Sequence, residues 1–252
     1  PRYPRGLRRA ARAALVAPAF LLVTCEHGGN RVPKEYRRLF AGWESVLASH
    51  RGYDPGALAL ARDLAREFDA PLVASTVTRL LVELNRSPSH PQMHSEVTRA
   101  LPRSEKARIV ARYYEPYRRE VEQRVAQATA ARRRVIHISA HSFVPVLNGS
   151  TRNADIGLLY DPARAAERSL CARWSQSLGA RASRLRVRRN YPYRGYADGL
   201  TTHLRRRNRG RGYLGIEIEV NQKHVLGGER EWRMLRKVLV QSLGDVVYGE
   251  AR

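Results

Sequence analysis

The residues of this 252-residue chain that are best able to do chemistry stand at the ends of short apolar runs. Glu26-His27-Gly28-Gly29-Asn30 closes one run, and its two glycines let the backbone turn sharply beside a ligand. Arg79 opens a second run and Asn85-Arg86 closes it. A third carries His137, Ser139 and His141 on one face, because side chains of an extended strand alternate. The fourth places Glu217 and Glu219 together in the same way. A carboxylate buried in an apolar strand must be paired or bound to a cation. Two histidines and several carboxylates, distant in sequence but gathered at strand ends, point to a site for a metal with hard and borderline ligands. On residue types alone the reading is a metallohydrolase.

Each position also has a structural reading. His27 is either a ligand or the hydrogen-bonding partner of its own turn, and His141 either a ligand or a satisfied strand-end histidine. His137, deeper in the same run, reads as a core histidine. Asp54, before Pro55-Gly56, is either a ligand or a helix N-cap. Glu219 is either a catalytic base or one half of a buried salt bridge. Asn85 and Arg86 read as an anion clamp or a solvated turn. On a continuing strand they would face opposite ways, so the chain must bend there, as Pro88 favours. His90 and His94 read as exposed loop residues.

Positioning these groups requires strands whose carboxyl ends meet. Residues 20–24, 71–77, 80–85, 135–141, 156–160, 185–189 and 213–220 read as strands. Residues 33–50, 55–68, 104–131, 162–178 and 229–243 read as helices. The helix over 55–68 has Asp54 at an N-cap position, Pro55 in its first turn and an apolar stripe at Leu60, Leu64 and Phe68. The alternation predicts an α/β sandwich around a mixed, mainly parallel sheet, with ligands beyond the strands' carboxyl ends.

Length predicts one catalytic domain over 19–252, preceded by a basic leader over 1–18. No apolar run approaches the roughly 18–20 residues of a membrane span, and the stretch from Ala14 to Val23 is broken by Pro18. Two cysteines, Cys25 and Cys171, are too few for a disulfide framework, which sets the expectation of a cytoplasmic protein. The formal net charge is +23, yet only Lys34, Lys106, Lys223 and Lys237 are lysines, so arginine supplies the excess. That bias is what a GC-rich genome produces. The clusters over 132–134, 184–189 and 205–211 come with no zinc finger or aromatic nucleic-acid platform, so no dedicated nucleic-acid partner is expected. The surplus charge steers small anions instead.

Together the blocks CEHGGNRVP, HRGYDPGALALA, TRLLVELNRSP, ISAHSF, ADIGLLYDP, NYPYRGYADGLT and GIEIEVNQ resemble the N-formylglutamate amidohydrolase family, related to zinc carboxypeptidases and aspartoacylases. They occur in the family's order over about 200 residues, which no single short motif matches for specificity. The resemblance implies a three-layer sandwich like that of the zinc carboxypeptidases. It implies one zinc ion on His27 and His141. The superfamily's glutamate three residues after the first histidine is replaced here by Asn30, a weak zinc ligand, so the role passes to Asp54, with His50 and Asn30 as alternatives. It further implies Arg79 as the group that polarises the scissile carbonyl, and Asn85 and Arg86 as the grip on a substrate carboxylate. Glu219 is implied as the residue that activates water, with Glu217 structural beside it. Arg152 and Arg194 are candidates for a second substrate carboxylate. The implied activity is hydrolysis of the formyl or other short acyl amide of a small anionic N-acyl amino acid. The alternatives are a zinc carboxypeptidase or deacylase on another substrate, and an Arg-rich nucleic-acid-binding protein with an inactive site.

Overall fold

The computed structural model describes residues 19–248. The basic leader expected over 1–18 lies outside them. Eight strands follow in chain order: β1 (Phe20–Cys25), β2 (Leu72–Ala74), β3 (Val135–Phe143), β4 (Val146–Leu147), β5 (Ser150–Thr151), β6 (Ile156–Leu159), β7 (Val187–Arg189) and β8 (Tyr213–Asn221). Six of them form one sheet in the order β2-β1-β3-β8-β6-β7, while β4 and β5 make a small antiparallel hairpin. β2, β1, β3 and β8 run parallel, and β6 runs antiparallel to β8. The sheet is mixed and mostly parallel, as the sequence predicts. The carboxyl ends of β1, β3 and β8 therefore meet along one edge.

Helices cover both faces. The α-helices are α1 (Glu44–Leu47), α2 (Ala57–Glu67), α3 (Arg103–Ile109), α4 (Glu115–Ala130), α5 (Ala165–Arg181), α6 (Leu200–Arg207), α7 (Lys223–Leu226) and α8 (Glu229–Tyr248). α2, α5 and α8 pack on Ile136, Ile138, Ile216 and Ile218 of one face. Trp174 of α5 is fully buried there, and its indole N–H donates to Ser242 Oγ of α8 at 2.9 Å. The opposite face carries Leu22, Val135 and Tyr213 under α4 and α6. Strand alternation turns His137, Ser139, His141, Glu217 and Glu219 to that second face too. No helix among the described residues is long and apolar enough to cross a membrane.

Two local expectations are corrected, a third is refined, and one helix was not expected. Residues 80–85 form turns rather than a strand, although Leu80, Leu81, Val82 and Leu84 are buried. Residues 33–50 hold a 3-10 segment, Lys34–Phe40, and the single turn α1 in place of a continuous helix. The stretch expected over 104–131 is helical but passes through a wide π turn, Val110–Tyr114. Pro116 follows it, and a proline lacks an N–H and crowds the carbonyl four residues back, which a wider turn accommodates. α6 was not anticipated, because its apolar signal is only Leu200 and Leu204 among arginines.

Gly157 of β6 lies opposite Glu219 of β8. A Cβ there would stand 2.0 Å from the Tyr191 carbonyl oxygen, which is backbone and cannot swing away. Gly157→Ala is expected to destabilise the fold by roughly 1–3 kcal/mol or more. Urea unfolding checks this, and an unchanged midpoint would show that the 190–199 loop does not pack as described.

Candidate active site

Hydrogen bonds to backbone carbonyls at the sheet's carboxyl edge stitch three loops together. Asp54 N donates to His27 O at 2.9 Å, tying the start of α2 to the end of β1. Thr78 Oγ1 and Arg79 N both donate to Gly52 O, at 2.9 and 3.2 Å. Ser142 Oγ donates to Pro55 O at 2.7 Å, joining β3 to the same loop. His27, Asp54, Arg79 and His141 are brought together by these links from positions up to 114 residues apart.

Asp54 is not an N-cap. Gly56 occupies that position with φ +81, in the left-handed region, and makes no side-chain cap. The Asp54 carboxylate turns inward: Oδ2 lies 3.3 Å from His27 Nδ1 and 2.8 Å from His141 Nδ1, and Oδ1 accepts from Arg79 at 3.1 Å. His27, Asp54 and His141 are all buried, and each offers a ligand atom within 4.8 Å of the others. This cluster can hold a metal ion. The alternatives for its second member stand apart from it. Asn30 is exposed and donates to Leu47 O at 3.0 Å, and His50 does not line the cavity that the cluster faces.

Each histidine uses its other nitrogen on a second carboxylate. His27 Nε2 meets Glu83, and His141 Nε2 lies 3.0 Å from Glu26 Oε2. Burial opposes ionisation of Asp54, Glu83 and Glu26, but the surrounding charges and hydrogen bonds outweigh it. His27, His141 and Arg79 do this for Asp54, Arg79 and His27 for Glu83, and His141 and Ser139 for Glu26. All three carboxyls are held below their ordinary range. In return, hydrogen bonds to Asp54 and Glu26 hold His141 well above its ordinary value in spite of its burial. His137 behaves as the core histidine expected. It lies between Thr24 Oγ1 at 2.8 Å and Tyr213 OH at 2.7 Å, and burial pushes it down to about 4.

Glu219 sits in register beside His141. Its Oε2 is buried with no hydrogen-bond partner, and it makes no ion pair among the described residues, so the salt-bridge alternative does not hold. Burial, then the nearby Asp54 and Glu217 charges, outweigh His141 and push it up to about 8. Arg79 spends three N–H groups on Glu83 and Asp54, which leaves two of its five donors. Asn85 Oδ1 accepts from Leu200 N at 2.7 Å, and its Nδ2 points toward His141 Nε2 at 3.4 Å. Arg86 donates to the Asp198 backbone oxygen and has no carboxylate within ion-pair distance among the described residues.

All seven residues singled out from the sequence, His27, Asp54, Arg79, Asn85, Arg86, His141 and Glu219, line one cavity of about 420 Å³. Sequence reasoning missed several neighbours. Glu83 interrupts an apolar run, and a charge in such a run is itself a sign of a buried partner. Glu26 abuts His27, but its partners Tyr117 and Ser139 are far along the chain. Glu217 also lines the cavity, accepting from Thr201 Oγ1 at 2.6 Å. So does Arg194, whereas Arg152 donates to Tyr193 OH at 3.0 Å and stacks on that ring. His90 and His94, expected to be exposed, are half-buried.

Residues 19–225 match the family model of N-formylglutamate amidohydrolase. The fold is similar to the crystal structure of gene product Atu2144 from Agrobacterium tumefaciens, with a TM-score of 0.77 and 30% identity over 95% of this chain and 94% of that one. N-formylglutamate amidohydrolase from Ralstonia eutropha JMP134 shares the fold at a TM-score of 0.67 and 19% identity, over 94% of this chain and 96% of that one. No curated protein sequence is significantly similar to the chain. With more than four-fifths of its length inside the family model and the family's polar blocks gathered around one cavity, the chain belongs to the N-formylglutamate amidohydrolase family.

Proposed function

We propose that the chain is a zinc-dependent amidohydrolase that removes the formyl group from an N-formyl amino acid such as N-formylglutamate. The observation that carries this reading is the buried His27–Asp54–His141 donor set, sharing one cavity with an unpartnered Glu219 oxygen and with Arg86, which has no ion-pair partner among the described residues. The donor set fits zinc. Catalytic zinc takes three protein ligands of these types, and a ligating imidazole ordinarily gives its second N–H to a carboxylate, as Glu83 and Glu26 supply here. Zinc bound there supplies the Lewis acidity that polarises a carbonyl and brings a water's pKa towards about 7.

The chain's own residues do the rest. Glu219 accepts the proton of the attacking water and returns it to the departing amine, as base and then acid. Arg79 offers its two remaining N–H groups to the carbonyl oxygen as negative charge develops there. Arg86, with the Asn85 amide beside it, holds the substrate's α-carboxylate and converts binding energy into orientation.

Elemental analysis of the purified protein is expected to give about one zinc per chain, lost in Asp54→Ala; zinc retained in that variant would place the second ligand elsewhere. With N-formyl and N-acetyl amino acids as substrates, Glu219→Gln is expected to keep its metal and lose roughly 100- to 10,000-fold in turnover. The pH profile follows from the same residue. A base must be ionised, so activity falls as pH drops through the Glu219 pKa. That pKa is about 8 without metal, and a nearby cation favours the carboxylate. The acid limb of kcat/KM for the zinc protein is therefore expected below 8, and a limb unchanged in Glu219→Gln would assign it to another group. Arg86→Ala is expected to raise KM for N-formylglutamate by roughly 10- to 100-fold, since hydrogen bonds to charged groups are worth about 1.5–3 kcal/mol. An unchanged KM would move the clamp to another residue.

A further inference from the structure

Glu26 lies behind His141, outside the cavity lining, and is completely buried. It lies one residue before His27, but its partners come from elsewhere in the fold. Tyr117 of α4 donates its hydroxyl to Glu26 Oε1 at 2.8 Å. Ser139 of β3 donates to Oε2 at 2.6 Å, and His141 Nε2 lies 3.0 Å from the same oxygen. No arginine or lysine forms an ion pair with Glu26 among the described residues, so His141 is its one ion-pairing partner there. A carboxylate is costly to bury, and three donors from two different elements, α4 and β3, compensate for it here.

We propose that Glu26 is a positioning residue that grips His141 at Nε2 and fixes the orientation of its ring, and so sets the affinity of the site for zinc. Glu26 Oε2, with Ser139 Oγ 2.9 Å from the same nitrogen, holds the ring by Nε2 and leaves Nδ1 as the nitrogen turned to the donor set. Nδ1 is the atom that faces Asp54 at 2.8 Å. Tyr117 and Ser139 anchor Glu26 from both oxygens, so the imidazole is gripped by a group that cannot swing away. Glu83 is the corresponding partner of His27 but also binds Arg79, so altering it would disturb the catalytic groups as well. Glu26 touches none of the cavity-facing arginines and isolates the effect. The inference rests on the zinc reading above for its consequence, though not for the orientation of the ring.

The test compares wild type, Glu26→Gln and Tyr117→Phe. Zinc affinity is measured by competition with a chelator, and the His141 ring N–H is followed by nitrogen–proton NMR. A glutamine side chain keeps the shape but loses the charge and can turn its amide N–H to Nε2, which breaks the grip on the ring. Glu26→Gln is expected to bind zinc roughly 10- to 100-fold more weakly. Its His141 Nε2–H signal is expected to move or disappear while the circular dichroism spectrum stays native. Tyr117→Phe, which removes one anchor but keeps the carboxylate, is expected to weaken zinc binding several-fold and is the deciding variant should Glu26→Gln not fold. Unchanged zinc affinity and an unchanged N–H signal in a folded variant would overturn the proposal. If the wild type binds no zinc, the function proposed above falls, and the N–H signal alone decides the role of Glu26.

Discussion

The rest of this site depends on burying Asp54 at the point where two imidazoles and a guanidinium converge. A lone carboxylate in the protein interior would take up a proton. Here the 2.8 Å contact with His141 Nδ1, the 3.3 Å contact with His27 Nδ1 and the 3.1 Å bond from Arg79 keep it charged. Each partner is in turn neutralised from behind, His141 by Glu26 and both His27 and Arg79 by Glu83. Charges alternate outward from the centre, and the cluster holds together only as a whole. A dication in the middle is the simplest addition that replaces the imidazole protons without undoing the outer carboxylates.

The scaffold follows from that requirement. Parallel β1, β3 and β8 end at one edge, so His27, His141 and Glu219 emerge side by side although each sits in a different third of the chain. The antiparallel β6 brings Gly157 against Glu219, and the absence of a side chain there lets the 190–199 loop come close enough to carry Tyr193 and Arg194 to the cavity. Apolar packing fills both faces, under α2, α5 and α8 on one and under α4 and α6 on the other. The charged pocket opens on the second face, at the carboxyl ends of the strands.

Much of this was legible in the residues, and the failures have physical causes. Strand alternation alone put His137, His141, Glu217 and Glu219 on one face. It could not separate the roles of His137 and His141, which depend on Tyr213 and Asp54, far off in sequence. Asp54 before Pro-Gly suits both an N-cap and a ligand, since each needs a short carboxylate just ahead of a helix. The left-handed Gly56 decides between them, and a backbone angle is not written in residue type. The run 80–85 is as apolar as a strand because it is buried, but it packs as turns beneath α4, where burial without alternation imitates a β pattern. The roles of Glu26 and Glu83 emerge only once tertiary contacts are drawn, and α6 is stabilised by packing more than by its own pattern.

The central claim, that His27, Asp54 and His141 hold one zinc ion, is tested most directly by crystals of the zinc-loaded protein measured on both sides of the zinc absorption edge. The account predicts a single strong anomalous peak among His27 Nδ1, His141 Nδ1 and the Asp54 carboxylate, with Glu26 and Glu83 still on the opposite nitrogens. A peak at Asn30 or His50, or none at this cluster in a protein saturated with zinc, would contradict it.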